Sequence, residues 1–137
     1  MATTWWRRGL LVAVLLLGPC AAWAAPPSPT NPLEVPAMTR IVLIVDGQTL
    51  TATLDDTAAG RDFARLLPLD LRLADHARTE KIADLPRRLD TEGAPDRYAA
   101  SAGDLTWYAP WGNLAIFYRD FPSASGLVRL GRLDGGV

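Results

Sequence analysis

The stretch Gly103–Asp120, GDLTWYAPWGNLAIFYRD, decides the fold. Two short apolar runs, Leu105–Tyr108 and Asn113–Tyr118, flank a Pro110-Trp111-Gly112 corner. Proline fixes φ and removes an N–H, while glycine takes up conformations closed to other residues, so together they mark a tight turn. The flanking runs read as two strands with large rings on both faces. Alternate residues of a barrel strand point inward, which predicts a core role for Phe117 and for one of Trp107 and Tyr108. Trp111 sits at the corner, where a ring is harder to bury, and is the candidate surface or pocket residue.

Outward from this stretch, the chain keeps the same grain. Leu127–Leu130 is a short closing strand after the loop Arg119–Gly126, and GRLDGGV ends the sequence. Upstream, Thr91–Ser101 contains Gly93, Pro95 and the lone aromatic Tyr98, and reads as a long loop. Long loops in compact domains are often functional. Lys81–Leu85 is a short strand that Pro86 confines to an edge or an end. Asp75–Glu80 is a polar connection. Leu69, Leu71 and Leu73 alternate with Asp70 and Arg72, the period of a strand with one face in water. Ala59, Phe63, Leu66 and Leu67 share one face of a helix of about three turns, for which Asp55, Asp56 and Thr57 offer N-caps and Pro68 a stop. Arg40–Val45 and Gln48–Leu54 are antiparallel strands joined by Asp46-Gly47, a strong hairpin signal because both residues tolerate positive φ. The fold class is mostly β (α+β): a small closed or nearly closed barrel with one or two capping helices, spanning 38–137.

The N-terminus is different material. Arg7 and Arg8 precede the apolar run Gly9–Gly18, and Ala22-Trp23-Ala24 is a small-x-small pattern. This is the layout of a cleavable secretory signal peptide over 1–24, cut after Ala24. A membrane anchor needs about 20 apolar residues, and Pro19 interrupts the run. The paired arginines leave a twin-arginine route open, whereas Pro19 before Cys20 departs from a lipoprotein box. Residues 25–37 form an extended tether with five prolines between Pro26 and Pro36. The expected location is periplasmic or secreted.

Removing the leader removes Cys20, the one cysteine, and two arginines. Twelve basic and 15 acidic residues remain, so the mature domain has a net charge near −3. That balance argues against nucleic acid and against an anionic membrane surface as partners. One histidine and no mature cysteine argue against a metal site. A serine hydrolase would need His76 beside a nucleophile, and no Gly-x-Ser-x-Gly elbow occurs. There is no phosphate-cradling glycine loop, and no cofactor is implied. What remains is binding. Tyr98, Tyr108 and Trp111 supply ring surface, and Arg61, Glu92 and Asn113 supply polar groups to orient a small molecule or an extended peptide.

Several blocks resemble one bacterial family of small cyclophilin-like domain proteins. They are the Asp46-Gly47 hairpin, Arg61-Asp62-Phe63-Ala64 with Leu66-Leu67-Pro68, Glu80-Lys81-Ile82-Ala83 with Leu85-Pro86, Glu92-Gly93-Ala94-Pro95, Gly103-Asp104-Leu105, Tyr108–Tyr118 and Leu130-Gly131. The resemblance implies a cyclophilin-type barrel and no established reaction. The Phe-His-Arg strand motif of true cyclophilins, whose arginine polarises the prolyl amide, does not occur here, nor does their Gln-Gly-Gly-Asp block. Catalysis is therefore not indicated; the alternative is a weak prolyl isomerase or other enzyme using Arg61 with the aromatic cleft. The family continues past the Leu-Gly-Arg block into a final strand, whereas this sequence stops at Val137. The expectation is a barrel lacking its last strand, whose open edge is filled by the N-terminal segment, by a partner strand or a second copy, or is left open in an incomplete domain.

Overall fold

A computed structural model describes residues 38–136. The leader and the tether expected at the N-terminus lie outside the described residues. The chain runs β1 (Thr39–Val45), β2 (Gln48–Leu54), α1 (Ala58–Ala64), β3 (Ala74–His76), β4 (Glu80–Asp84), β5 (Arg97–Tyr98), β6 (Asp104–Tyr108), β7 (Asn113–Phe117), β8 (Ala124–Ser125) and β9 (Leu127–Leu133). Seven strands form one antiparallel sheet in the order β1-β2-β9-β6-β7-β4-β3, and β5 pairs with β8 as a separate ribbon.

The first hairpin forms as its sequence dictates. Asp46 and Gly47 take φ of 49° and 76°, the twist that matches two antiparallel strands. Every residue from Thr39 to Val45 then has a partner on β2. Thr57 caps α1, its side chain accepting from the Gly60 N–H at 3.0 Å. The β6–β7 hairpin also forms where expected, with Tyr108 opposite Asn113 across the Pro-Trp-Gly corner.

The sheet has two apolar faces. The inner face packs Ile41, Leu54, Leu105, Trp107, Leu114 and Leu130 against Phe63 of α1. The outer face of the central strands carries Ala115, Phe117 and Leu127, covered by Ala100 and, in part, by Tyr98 and Ala124 of the ribbon. Two-sided burial explains why β6 and β7 read as continuous apolar runs rather than alternating ones. Trp107, not Tyr108, is the ring that faces the inner core, and Phe117 is buried as expected. Leu105 pairs with Gly131 and Thr106 with Arg129, so Leu130 is an extra residue that bulges β9.

Several expectations are corrected. The sheet is open: β1 and β3 are its edges, and no ladder joins them. Leu69–Leu73 forms no strand; it runs beside β1, where its leucines line a cleft of about 170 Å³ with Ile41, Leu43 and Val45. Its alternation satisfies packing instead of pairing. Among the described residues there is one helix, within the one or two expected, but it is shorter than three turns. Leu66 and Leu67 lie past its end, held by turn bonds from Leu66 N–H to Phe63 O and from Leu67 N–H to Ala64 O. Of the two places expected for Pro86, an edge or an end, the structure has the end: β4 is interior, between β3 and β7, and Pro86 falls beyond its last paired residue. The loop Thr91–Ser101 contributes β5, and the last strand extends to Leu133.

Candidate functional site

The β6–β7 corner is tied down on several sides. The Trp111 and Gly112 N–H groups both donate to Tyr108 O, at 3.3 and 2.9 Å, the Ala109 N–H donates to Gly126 O at 2.9 Å, and Gly112 O accepts from the Leu85 N–H at 3.2 Å. The backbone is thus fixed while the Trp111 side chain stands out of it, 58% exposed. Its ring meets Tyr108 edge-on, with centroids 5.3 Å apart, and His76 likewise at 5.4 Å.

These three rings form one end of a cleft of about 200 Å³ on the outer face of the sheet. Glu80, Asn113 and Phe117 line it further, with Phe121 from the loop after β7. Asn113 is only 3% exposed, and its Oδ1 has no hydrogen-bond partner. An unpaired buried carbonyl costs roughly 1–3 kcal/mol, and Asn113 is one of the residues that border the cleft. Burial pushes the Glu80 carboxyl above its ordinary pKa, and only the nearby His76 opposes this. His76 and Glu80 face each other across the β3–β4 hairpin, whose turn residues Ala77 and Arg78 take φ of 49° and 54°. Left-handed conformations cost L-residues about 1 kcal/mol each, so this turn is held by its surroundings rather than by its own chemistry.

The six residues named from the sequence fall in three places. Tyr108, Trp111 and Asn113 share the aromatic cleft. Glu92 and Tyr98 line a second cleft of about 300 Å³ with Asp55, Thr57 and Arg129. There the Tyr98 hydroxyl already donates to Asp104 Oδ2 at 2.7 Å, and burial together with that carboxylate pushes its pKa up to about 12. Arg61 lies on the exposed side of α1, ion-paired with Asp56, and lines neither cleft. No arginine lines the aromatic cleft, so the arginine-plus-cleft arrangement of the enzymatic alternative is not assembled there. His76 and Glu80 are the residues that sequence reasoning missed. Their signal was the symmetric placement of polar residues about Ala77–Thr79, but Ala-Arg is not hairpin-turn chemistry.

Among the described residues, an open antiparallel sheet with an inner core, one helix and an aromatic cleft on its outer face defines a small, mostly β domain. A family model described as the cyclophilin-like family matches residues 43–137. The chain belongs to the cyclophilin-like family. No curated protein and no solved structure matches it.

Proposed function

We propose that this is an exported cyclophilin-like domain that binds a small molecule or an extended peptide in the aromatic cleft, without a catalytic role. The observation that carries the reading is the buried, unpaired Asn113 Oδ1 beside Trp111, a large ring kept exposed on an immobilised turn. A cleft of mixed aromatic surface with a few convergent polar groups is the usual form of a ligand site. The second cleft is the weaker candidate because its tyrosine is already engaged by Asp104. A fragment screen followed by NMR tests the reading. Fragments that bind the wild-type domain are expected to lose at least about tenfold in affinity in Trp111→Ala, as for a hot-spot aromatic. Unchanged affinities in that variant would remove the site.

A second reading is supported by the edge of the sheet. Among the described residues β1 has a partner only on its β2 side, and Val42 and Ile44 are 63% and 75% exposed. Natural edges are normally blunted by lysine, proline or short length, and seven-residue β1 carries only Arg40. The matching occupant is a second copy, pairing β1 with β1 about a two-fold axis. Native mass spectrometry of protein recovered from an exported fraction tests both the export and the association. It should show a chain beginning at Ala25 and a dimer that Val42→Lys converts to monomer. A retained leader would overturn the export assignment, and a wild-type monomer the pairing.

A further inference from the structure

We infer that the aromatic cleft selects an organic cation bearing at least one N–H, a protonated amine or guanidinium of the size of a lysine or arginine head group. This rests on the reading of the cleft as a binding site and specifies the charge and hydrogen bonding of what it takes.

The polar inventory of the cleft is one-sided. Its walls hold neither lysine nor arginine, and the one formal charge they carry besides the imidazole of His76 is the carboxylate of Glu80. Asn113 Oδ1 adds a second oxygen, buried and without a donor. Around these stand the rings of Tyr108, Trp111, Phe117 and Phe121. An aromatic box that also holds a carboxylate attracts cations twice, through the ring quadrupoles and through the opposite charge, and both attractions strengthen as water leaves. The raised Glu80 pKa has the same origin: the cleft desolvates a negative charge, and only His76 opposes the shift. The nearest lysine, Lys81, points elsewhere, its Nζ 3.0 Å from Asp75 Oδ1 and above the Tyr118 ring. A quaternary ammonium would satisfy the rings and Glu80 but has no N–H for Asn113. A primary ammonium or a guanidinium satisfies all three. The volume of about 200 Å³ suits a head group of a few heavy atoms.

Butylammonium, 1-butanol and tetramethylammonium, titrated into the labelled domain at pH 8 and followed through the Trp111 indole resonance, separate the terms. Butylammonium should bind at least about tenfold more tightly than 1-butanol, and tetramethylammonium should fall between them. Glu80→Gln should erase the preference for butylammonium over 1-butanol, while Glu80→Asp keeps most of it. Because desolvation of the half-buried Glu80 charge opposes folding, Glu80→Gln should also melt no lower than wild type at pH 7, so lost binding cannot be ascribed to unfolding. Equal affinity for butylammonium and 1-butanol, or a preference that survives Glu80→Gln, overturns the cation assignment and leaves the cleft a ligand site. If neither these probes nor neutral aromatic fragments perturb the Trp111 indole, the ligand site itself is refuted, and the assignment with it.

Discussion

Gly131→Ala is expected to lower the melting temperature by about 15 °C, a large effect for a single methyl group. Gly131 lies in β9, paired with Leu54 on one side and Leu105 on the other. A Cβ there would stand 2.2 Å from Thr53 O and 2.7 Å from the Leu54 Cα. Both are backbone atoms of β2, so no rotamer change relieves the overlap. The strand must move, and β2 carries β1 with it. Overpacking of this kind costs typically 1–3 kcal/mol and occasionally more, and an obstruction by backbone puts this site near about 3 kcal/mol. For a domain of about 100 residues that is on the order of 15 °C. Gly60→Ala meets the same obstacle, with Asp55 O at 2.2 Å. Gly135→Ala is the control: nothing lies within 4 Å of its Cβ, and its melting temperature should stay unchanged. A thermal melt showing Gly131→Ala at the wild-type temperature would mean that β9 is not packed between β2 and β6 as described.

Asp62→Asn should also be strongly destabilising, through a different cause. Asp62 is buried on α1 and accepts two hydrogen bonds from Arg87, 2.7 Å from Nη1 to Oδ2 and 2.8 Å from Nη2 to Oδ1. Its Oδ2 also accepts from the Asp90 N–H at 2.9 Å. This latch fixes the segment after Pro86 to the helix. Asparagine has the shape but presents an NH₂ group to the guanidinium donors and loses the charge. Removing one member of a hydrogen-bonded ion pair costs about 3–5 kcal/mol when both are buried; Arg87 is partly exposed, which brings the expected loss to about 2 kcal/mol. The corresponding fall is about 10 °C at pH 7.

The pH dependence has a definite sign. The Arg87 hydrogen bonds, and after them the Asp90 N–H, hold the Asp62 carboxyl far below the usual carboxylate range. A carboxylate whose folded pKa is depressed contributes stability at pH values above its unfolded pKa, near 3.9, and loses that contribution as pH falls toward the folded value. The melting gap between wild type and Asp62→Asn should therefore be full at pH 7 and close progressively below about pH 4. A gap of constant size from pH 7 to pH 3 would show that the charge of Asp62 contributes nothing.

The parts of the fold legible in the sequence were those whose cause is local. Asp46-Gly47 carries its own turn chemistry, Thr57 its own cap, and Pro110-Trp111-Gly112 its own corner between apolar runs. What was illegible depended on partners distant in the chain. The alternation of Leu69, Leu71 and Leu73 is compatible with a ladder or with leucines laid into a groove beside β1, and only the position of β1 decides between them. The two-residue strands β5 and β8 are too short to leave a period, and they exist because Arg97 and Tyr98 find Ser125 and Ala124 across the outer face. The site divides in the same way. Tyr108, Trp111 and Asn113 came together because one hairpin carries them. Arg61 and Glu92 were grouped with them by residue type, and the fold sets them elsewhere. His76 and Glu80 entered the cleft through a hairpin whose turn residues, Ala77 and Arg78, hold left-handed angles that their side chains do not favour.

We propose that the outer-face cleft between the β3–β4 and β6–β7 hairpins is the ligand site of this domain. Amide shift mapping of the isotope-labelled domain with its best-binding fragment tests it most directly. The largest perturbations should cluster at His76, Glu80, Tyr108, Trp111 and Asn113, with Glu92, Tyr98 and Arg129 unmoved. Perturbations centred instead on Glu92–Tyr98 and Arg129, or along β1 and Leu69–Leu73, would contradict it.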